Sequence, residues 1–200
     1  GPFRSVYDET KWRAHYEVAA PMAAAGLPLV TVLPGVVYGP GDRGPVAERL
    51  WRPYLTRDLP VVPRRTGFAF GHVDDTAGAV VRAYESGTPG EEYVVAGHNR
   101  TLTDVLALAE RLTGVPAPRA VPPAVLGALA RLVALVEPTV RPPAGYESES
   151  LRALAGPTYF GDGAKAVREL GVEHRPLETG LGEYLAWEAA RPDDGGPGRT

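Results

Sequence analysis

The stretch LPLVTVLPGVVYGPGD, residues 27–42, decides the fold. Its first part, 27–38, is a nearly continuous apolar run rich in β-branched residues. Such a run predicts a strand buried on both faces, as in a parallel sheet. Gly39, Pro40, Gly41 and Asp42 then form a turn cluster. Pro45 suits the first position of a helix that runs to about Leu55. Upstream, Ser5 and Asp8 fit the S-x-x-D capping pattern. They open a helix of about 20 residues that stops at Gly26. Pro21 lies within it and should kink it or split off its last turn.

Downstream, short strands are expected at 59–62 and 67–73, and Asp74 or Asp75 can cap a helix over 76–85. The segment EEYVVA at 91–96 reads as another strand. Thr101 opens a helix with Asp104 in its first turn, ending near Gly114. The Pro-rich segment 115–123 reads as irregular, and helices are expected at 124–136, 163–170 and 177–190. The end, RPDDGGPGRT at 191–200, reads as a frayed tail. Strands alternating with helices define an α/β fold with a mainly parallel sheet. The helix-rich stretch after residue 98 reads as an appended lobe.

Composition narrows the function classes. Of 200 residues, 44% are hydrophobic and 22% charged, a globular balance. Gly (24) and Pro (21) together predict a loop-rich but folded chain. A net charge of -3 argues against a general nucleic-acid binder, which needs a basic face. The absence of Cys excludes disulfides, thiolate metal sites and cysteine nucleophiles. His15, His72, His98 and His174 show no metal-ligand spacing. The apolar stretch 124–136 contains Arg131 and is too short to span a bilayer, so no membrane role is expected. No signal peptide is visible, which predicts a cytoplasmic protein. The chain opens on Gly1 almost inside a helix signal, which predicts a fragment of a longer protein.

Tyr7 and Lys11 are four apart on the first helix and so share a face. A phenol with its ordinary pKa of about 10 is a poor proton carrier at neutral pH. An ammonium held close favours the phenolate, and Tyr7 could then exchange a proton with a carbonyl or alcohol. Lys11 could also bond ribose hydroxyls of a cofactor. The bland alternative is a chance pair on an exposed helix, of which about 0.1 is expected here. The chain has 21 Lys and Arg, and only Lys11 and Lys165 are Lys, so a Lys marks a place for a compact point charge.

The order of motifs adds to this. YDETK at 7–11 precedes GLPLVTVLPGVVYGPGD at 26–42, FGHVDDTA at 70–77 and YVVAG at 93–97. AKAVRELG at 164–171, RPLETGL at 175–181 and Trp187 follow. This series resembles the extended short-chain dehydrogenase/reductase family, also called the NAD-dependent epimerase/dehydratase family. It is similar above all to the dihydroflavonol-reductase-like and bacterial sugar-epimerase-like branches, the first of them most. The resemblance covers residues 3 to about 190. It implies a Rossmann-type parallel sheet, of which this chain holds the C-terminal part, and a smaller, mostly helical substrate lobe. It implies residues 1–97 for the Rossmann part, 98–190 for the lobe and 191–200 for a disordered tail.

In the same reading, Tyr7 is the catalytic acid/base and Lys11 holds the nicotinamide ribose. The backbone of Pro34, Gly35, Val36 and Val37 lies against the carboxamide of NAD or NADP. The resemblance implies a small-molecule substrate and a homodimer formed through the Tyr-bearing helix. It has two departures. The family's glycine-rich phosphate loop and catalytic Ser or Thr have no counterpart in the sequence. Leu33 stands where the family places Arg, and no convincing Arg for a sugar-nucleotide diphosphate is found, Arg141 being only loosely placed.

Other features have plainer readings. Gly39, Gly41 and Gly44 match G-x-G-x-x-G, but Pro40 and Pro45 remove N–H groups that a phosphate loop needs. His72, Asp74 and Asp75 read as a helix cap and a packed imidazole. Arg64 and Arg65 read as a solvated hairpin tip, Tyr38 as either a pocket wall or core. Residues 124–136 read as a core or dimer-facing helix. Function therefore reads as NAD(P)-dependent hydride transfer at a carbonyl or alcohol carbon. The rival is a non-catalytic, partner-binding remnant of the same family. A hydrolase is disfavoured, since no G-x-S-x-G occurs and Asp74 and Asp75 would diverge at a helix start.

Overall fold

The computed structural model describes residues 3, 5–140, 142 and 146–191. The tail expected after Arg191, and most of the stretch around Arg141, lie outside the described residues. In chain order, the first helices are α1 (Val6–Arg13) and α2 (Ala20–Ala24), joined by a π-helical segment, Ala14–Ala19. Strands β1 (Thr31–Pro34) and β2 (Val36–Tyr38) follow. A second π-helical segment, Ala47–Trp51, leads into α3 (Arg52–Leu55). Next come β3 (Val61–Pro63), β4 (Gly67–His72), α4 (Val73–Ser86), β5 (Glu92–Val95) and β6 (His98–Thr101). The last elements are α5 (Leu102–Thr113), β7 (Arg119–Val121), α6 (Pro123–Val136), α7 (Ser148–Leu154), β8 (Thr158–Tyr159), α8 (Ala164–Leu170) and α9 (Leu177–Ala190).

The mixed α/β architecture with parallel pairing is as expected. β1 pairs parallel with β5 and β2 parallel with β4. β4 also takes β6 antiparallel and β8 parallel, while β3 pairs parallel with β7. The apolar run at 27–38 is thus two short strands rather than one. The break is Gly35, where an added Cβ would lie 2.3 Å from the carbonyl oxygen of Ala69. Only a residue without Cβ lets the chain pass β4 that closely and change partner. Burial on both faces is also not met, since β1 is half-buried and Pro34 is exposed.

Both π-helical segments end just before a proline one residue into the next helix, Pro21 and Pro53. A proline has no N–H and its ring clashes with the carbonyl four residues earlier. Widening the preceding turn relieves that clash without breaking the helix, so the expected kink at Pro21 takes this form. The helix cap expected from Asp74 or Asp75 is instead His72, whose Nδ1 accepts from the Asp74 N–H at 3.3 Å. The segment 115–123 is not wholly irregular, because it contains β7. Thr101 and Asp104 form the expected capping box, and Gly114 ends α5 in the left-handed region at φ 72°.

Three apolar clusters hold these elements. The largest joins Tyr38, Trp51, Tyr54, Phe70 and the inner faces of α5 and α9, including Leu106, Leu181 and Tyr184. Tyr38 is 1% exposed and is core rather than pocket wall. The second packs Ala79 and Ala83 of α4 with Tyr93, Val95 and α8. The third is small and joins Leu126 and Ala130 of α6 to Leu151 of α7. No helix of the described residues is long and apolar enough to cross a membrane.

Candidate active site

Helix α1 starts where the sequence says it should. Ser5 Oγ accepts from the Asp8 N–H at 3.1 Å, satisfying one of the helix's open donors. A second open donor, the Val6 N–H, meets Glu149 Oε1 of α7 at 2.8 Å. Tyr7 follows directly and is 67% exposed. One turn on, Lys11 Nζ lies 5.5 Å from the centroid of the Tyr7 ring. The ammonium and the phenol therefore share one accessible helix face, as the four-residue spacing predicts. Among the described residues neither the Tyr7 hydroxyl nor the Lys11 ammonium has a hydrogen-bond or ion-pair partner. Arg13, by contrast, is paired with Glu9 at 2.7 Å.

Pro34, Gly35, Val36 and Val37 sit together where β1 passes into β2. Their inward edge is committed: Pro34 stands opposite Val95, and Val36 and Val37 opposite Phe70 and Gly71. The Gly35 N–H donates to the Val95 carbonyl at 3.1 Å. The opposite edges of β1 and β2 have no strand partner among the described residues. Their outward backbone groups are left for a ligand or another strand. α1, the π-helical segment after it and α2 bury no residue at all, and His15 of that segment reaches Glu92 of β5 at 2.9 Å. Phe3, Trp12 and Tyr16 form an exposed aromatic run, with ring centroids 5.6 and 5.2 Å apart.

The glycine-rich turn after β2 offers no phosphate cradle. The Gly44 N–H already donates to Asp42 Oδ1 at 2.7 Å and the Asp42 N–H to the Gly39 carbonyl at 3.0 Å. An added Cβ on Gly39 would lie 2.5 Å from Val73 Cγ1, so this loop packs against the protein. Tyr7 and Lys11 thus present an open phenol and ammonium, and Pro34, Gly35, Val36 and Val37 an open strand edge, groups whose chemistry fits the ribose and carboxamide of a nicotinamide. There is no cradle for a dinucleotide's pyrophosphate among the described residues.

Behind the turn lies a charged cluster that sequence reasoning missed. Arg175 donates from its N–H and Nε to Asp75 at 2.9 and 3.0 Å. Its two terminal nitrogens reach Glu183 at 3.0 Å and Asp74 at 3.3 Å. Its carbonyl lies 2.8 Å from His98 Nε2. One residue therefore ties α4, β6 and α9 together. His72 is buried beside it, with its ring edge-on to Tyr38 and its Nε2 without a hydrogen-bond partner. Burial holds the His72 imidazole below its ordinary range, the Arg175 charge adding to the effect. No group of His, Asp and Glu among the described residues could hold a metal.

Comparison with known proteins bears on this arrangement. The family model described as the NAD dependent epimerase/dehydratase family matches residues 1–96. A Synechocystis protein named as a dihydroflavonol 4-reductase is 30% identical over 191 residues, covering 90% of this chain and 54% of that protein. Sterol demethylase protein B of Methylococcus capsulatus is 30% identical over 188 residues, covering 90% and 56%. A crystal structure described as a nucleoside-diphosphate-sugar epimerase from Pseudomonas aeruginosa is 29% identical, with a TM-score of 0.73 over 92% of this chain and 55% of that one. Residues 1–96 thus match the NAD-dependent epimerase/dehydratase family, and the fold is the Rossmann-type α/β fold of these similar proteins. The chain spans about half the length of the curated relatives it matches.

Proposed function

We propose that this chain supplies the proton-transfer residues and the substrate lobe of an NAD(P)-dependent oxidoreductase or epimerase. The observation that carries this is Tyr7 and Lys11, one turn apart on an open helix face and free of competing partners. When bound, the dinucleotide supplies or accepts hydride. The Tyr7 hydroxyl gives its proton to the substrate oxygen as a carbonyl becomes an alcohol, and takes it back in the reverse direction. Lys11 donates to ribose hydroxyls and fixes the nicotinamide near that phenol. The outward backbone of Pro34, Gly35, Val36 and Val37 bonds the carboxamide. Residues 1–97 act as part of the dinucleotide-binding domain and 98–190 as the substrate lobe. In this reading a glycine-rich βαβ half lies along the open edge of β1 and over α1.

That open edge also favours a second reading, a non-catalytic lobe whose free face is covered by another polypeptide. The two are separated by isotope transfer. In protein joined to a glycine-rich βαβ half, NADPH deuterated at C4 is offered with a panel of ketones. The first reading requires deuterium on the carbinol carbon of a product. Absence of transfer to every ketone, with the dinucleotide bound, favours the second.

A further inference from the structure

Helix α1 carries Tyr7 yet buries none of its own residues. Side-chain packing therefore does not fix where the phenol stands, and hydrogen bonds to the open N–H groups of its first turn matter more. Two side chains accept from those groups. The Ser5 hydroxyl, at 3.1 Å from the Asp8 N–H, closes the turn on itself and orients it against nothing else. The bond from the Val6 N–H to Glu149 Oε1 at 2.8 Å is different, because it reaches α7, 143 residues along the chain. Val6 is the residue before Tyr7. A first turn that pivots at Val6 swings the long Tyr7 side chain with it.

α7 is itself braced at both ends. Leu151 is buried against Leu126 and Ala130 of α6. The Ser148 N–H donates to Oε1 of Glu137, just past α6, at 3.2 Å. At the far end, Thr66 Oγ1 donates to the Leu154 carbonyl and accepts from the Gly156 N–H at 3.1 Å. Thr66 is fully buried just before β4, and its carbonyl accepts from the Leu102 N–H at the start of α5, at 2.8 Å. Glu149 thus passes the placement of β4, α5 and α6 to the turn that bears Tyr7. We infer that Glu149 is a positioning residue for proton transfer: by holding the Val6 N–H it sets where the Tyr7 hydroxyl meets the substrate oxygen. A carboxylate suits this task, since a charged acceptor makes a shorter and stronger bond to a main-chain N–H than a neutral one. Its action runs through Val6 and needs no contact with the reacting atoms. The inference rests on the proposed role of Tyr7 for its catalytic part, and the tie itself does not depend on that role.

The tie is read in the whole 200-residue chain by amide hydrogen exchange, followed by NMR. Glu149→Ala should speed exchange of the Val6 N–H about tenfold, the effect of losing one charged hydrogen bond. Glu149→Gln keeps an acceptor oxygen and should stay within about threefold of the parent. Far-UV circular dichroism should be unchanged in both. The consequence is read in protein joined to a glycine-rich βαβ half. There Glu149→Ala should lower kcat for ketone reduction by about 10- to 100-fold, as a misplaced reacting group does. KM and NADPH affinity should stay within about twofold. The solvent deuterium isotope effect on kcat should rise as the proton step slows, whereas a mere loss of folded protein leaves it unchanged. Glu149→Gln should restore most of kcat. Unchanged Val6 exchange in Glu149→Ala overturns the inference, and so does a Gln variant no better than the Ala variant. Faster exchange with kcat and isotope effect unchanged shows a contact that holds the fold alone, and overturns it too. Tyr7→Phe should leave Val6 exchange as in the parent. Turnover indifferent to Tyr7→Phe would remove the catalytic reading, and this role of Glu149 with it, while the exchange result stands by itself.

Discussion

Arg175 holds Asp75 with two donors at once, its main-chain N–H at 2.9 Å and its Nε at 3.0 Å. The carboxylate belongs to the first turn of α4, and the arginine precedes α9 by two residues. The pair ties the start of α9 to α4, and Glu183 of α9 and Asp74 each take a donor from one of the two terminal guanidinium nitrogens. Charged hydrogen bonds of this partly buried kind contribute about 1.5–3 kcal/mol each. Asp75→Ala should therefore lower the unfolding free energy by about 2–3 kcal/mol in urea titration. Arg175→Lys should recover only part of the loss, because a single ammonium cannot reproduce the planar fork. A midpoint for Asp75→Ala equal to that of the parent would refute the clasp.

The buried His72 makes stability depend on pH. Its folded pKa lies below the ordinary value of about 6.5, chiefly through burial and then through the Arg175 charge. Asp74, Asp75 and Glu183 act in the opposite sense but do not outweigh burial. His174 is shifted the same way by burial and by His98. On acidification the unfolded chain takes up protons that the folded protein refuses. Stability is thus full above about pH 6.5 and falls as the pH drops below it. Melting temperature should decline between pH 7.5 and 5.5. His72→Asn, which retains a capping side chain, should flatten that decline. An unchanged slope in the variant would show that His72 is not the group responsible.

Two glycines with positive φ should respond very differently to alanine. Gly97 has φ +66°, and an added Cβ would stand 2.1 Å from the Phe70 carbonyl oxygen. Gly114 has φ +72° and nothing within 4 Å of its Cβ position. Gly114→Ala should cost only the backbone strain, about 1–2 kcal/mol. Gly97→Ala adds a backbone clash between β4 and the turn before β6, and should cost about 1–3 kcal/mol more. Equal denaturation midpoints for the two variants would contradict this placement of β4.

The features legible in the sequence are those set by neighbours in the chain. The Ser5 cap, the Thr101–Asp104 box and the Gly114 stop all depend on residues within one turn. The Tyr7–Lys11 face is legible for the same reason. The split of 27–38 was not, because it arises from the Ala69 carbonyl, far along the chain from Gly35. Strand β7 was hidden among prolines, since its strand character comes from pairing with β3. The Arg175 clasp and the Glu149 contact join residues 100 and 143 apart, and no local pattern announces either. His72 was read as a packed imidazole, which it is, but its capping role went to the neighbouring aspartates.

Substitution at Tyr7 tests the central claim most directly. The residue is 67% exposed, so Tyr7→Phe should leave the melting temperature within about a degree of the parent. In protein joined to a glycine-rich βαβ half, ketone reduction should fall by about 100- to 10,000-fold, the range expected for a lost general acid. NADPH affinity, followed by cofactor fluorescence, should change by less than about threefold, because the phenol is one contact among many. Loss of turnover with cofactor binding kept is the result predicted. Turnover within about twofold of the parent would mean that the proton comes from elsewhere, and the assignment of Tyr7 as acid/base would fall.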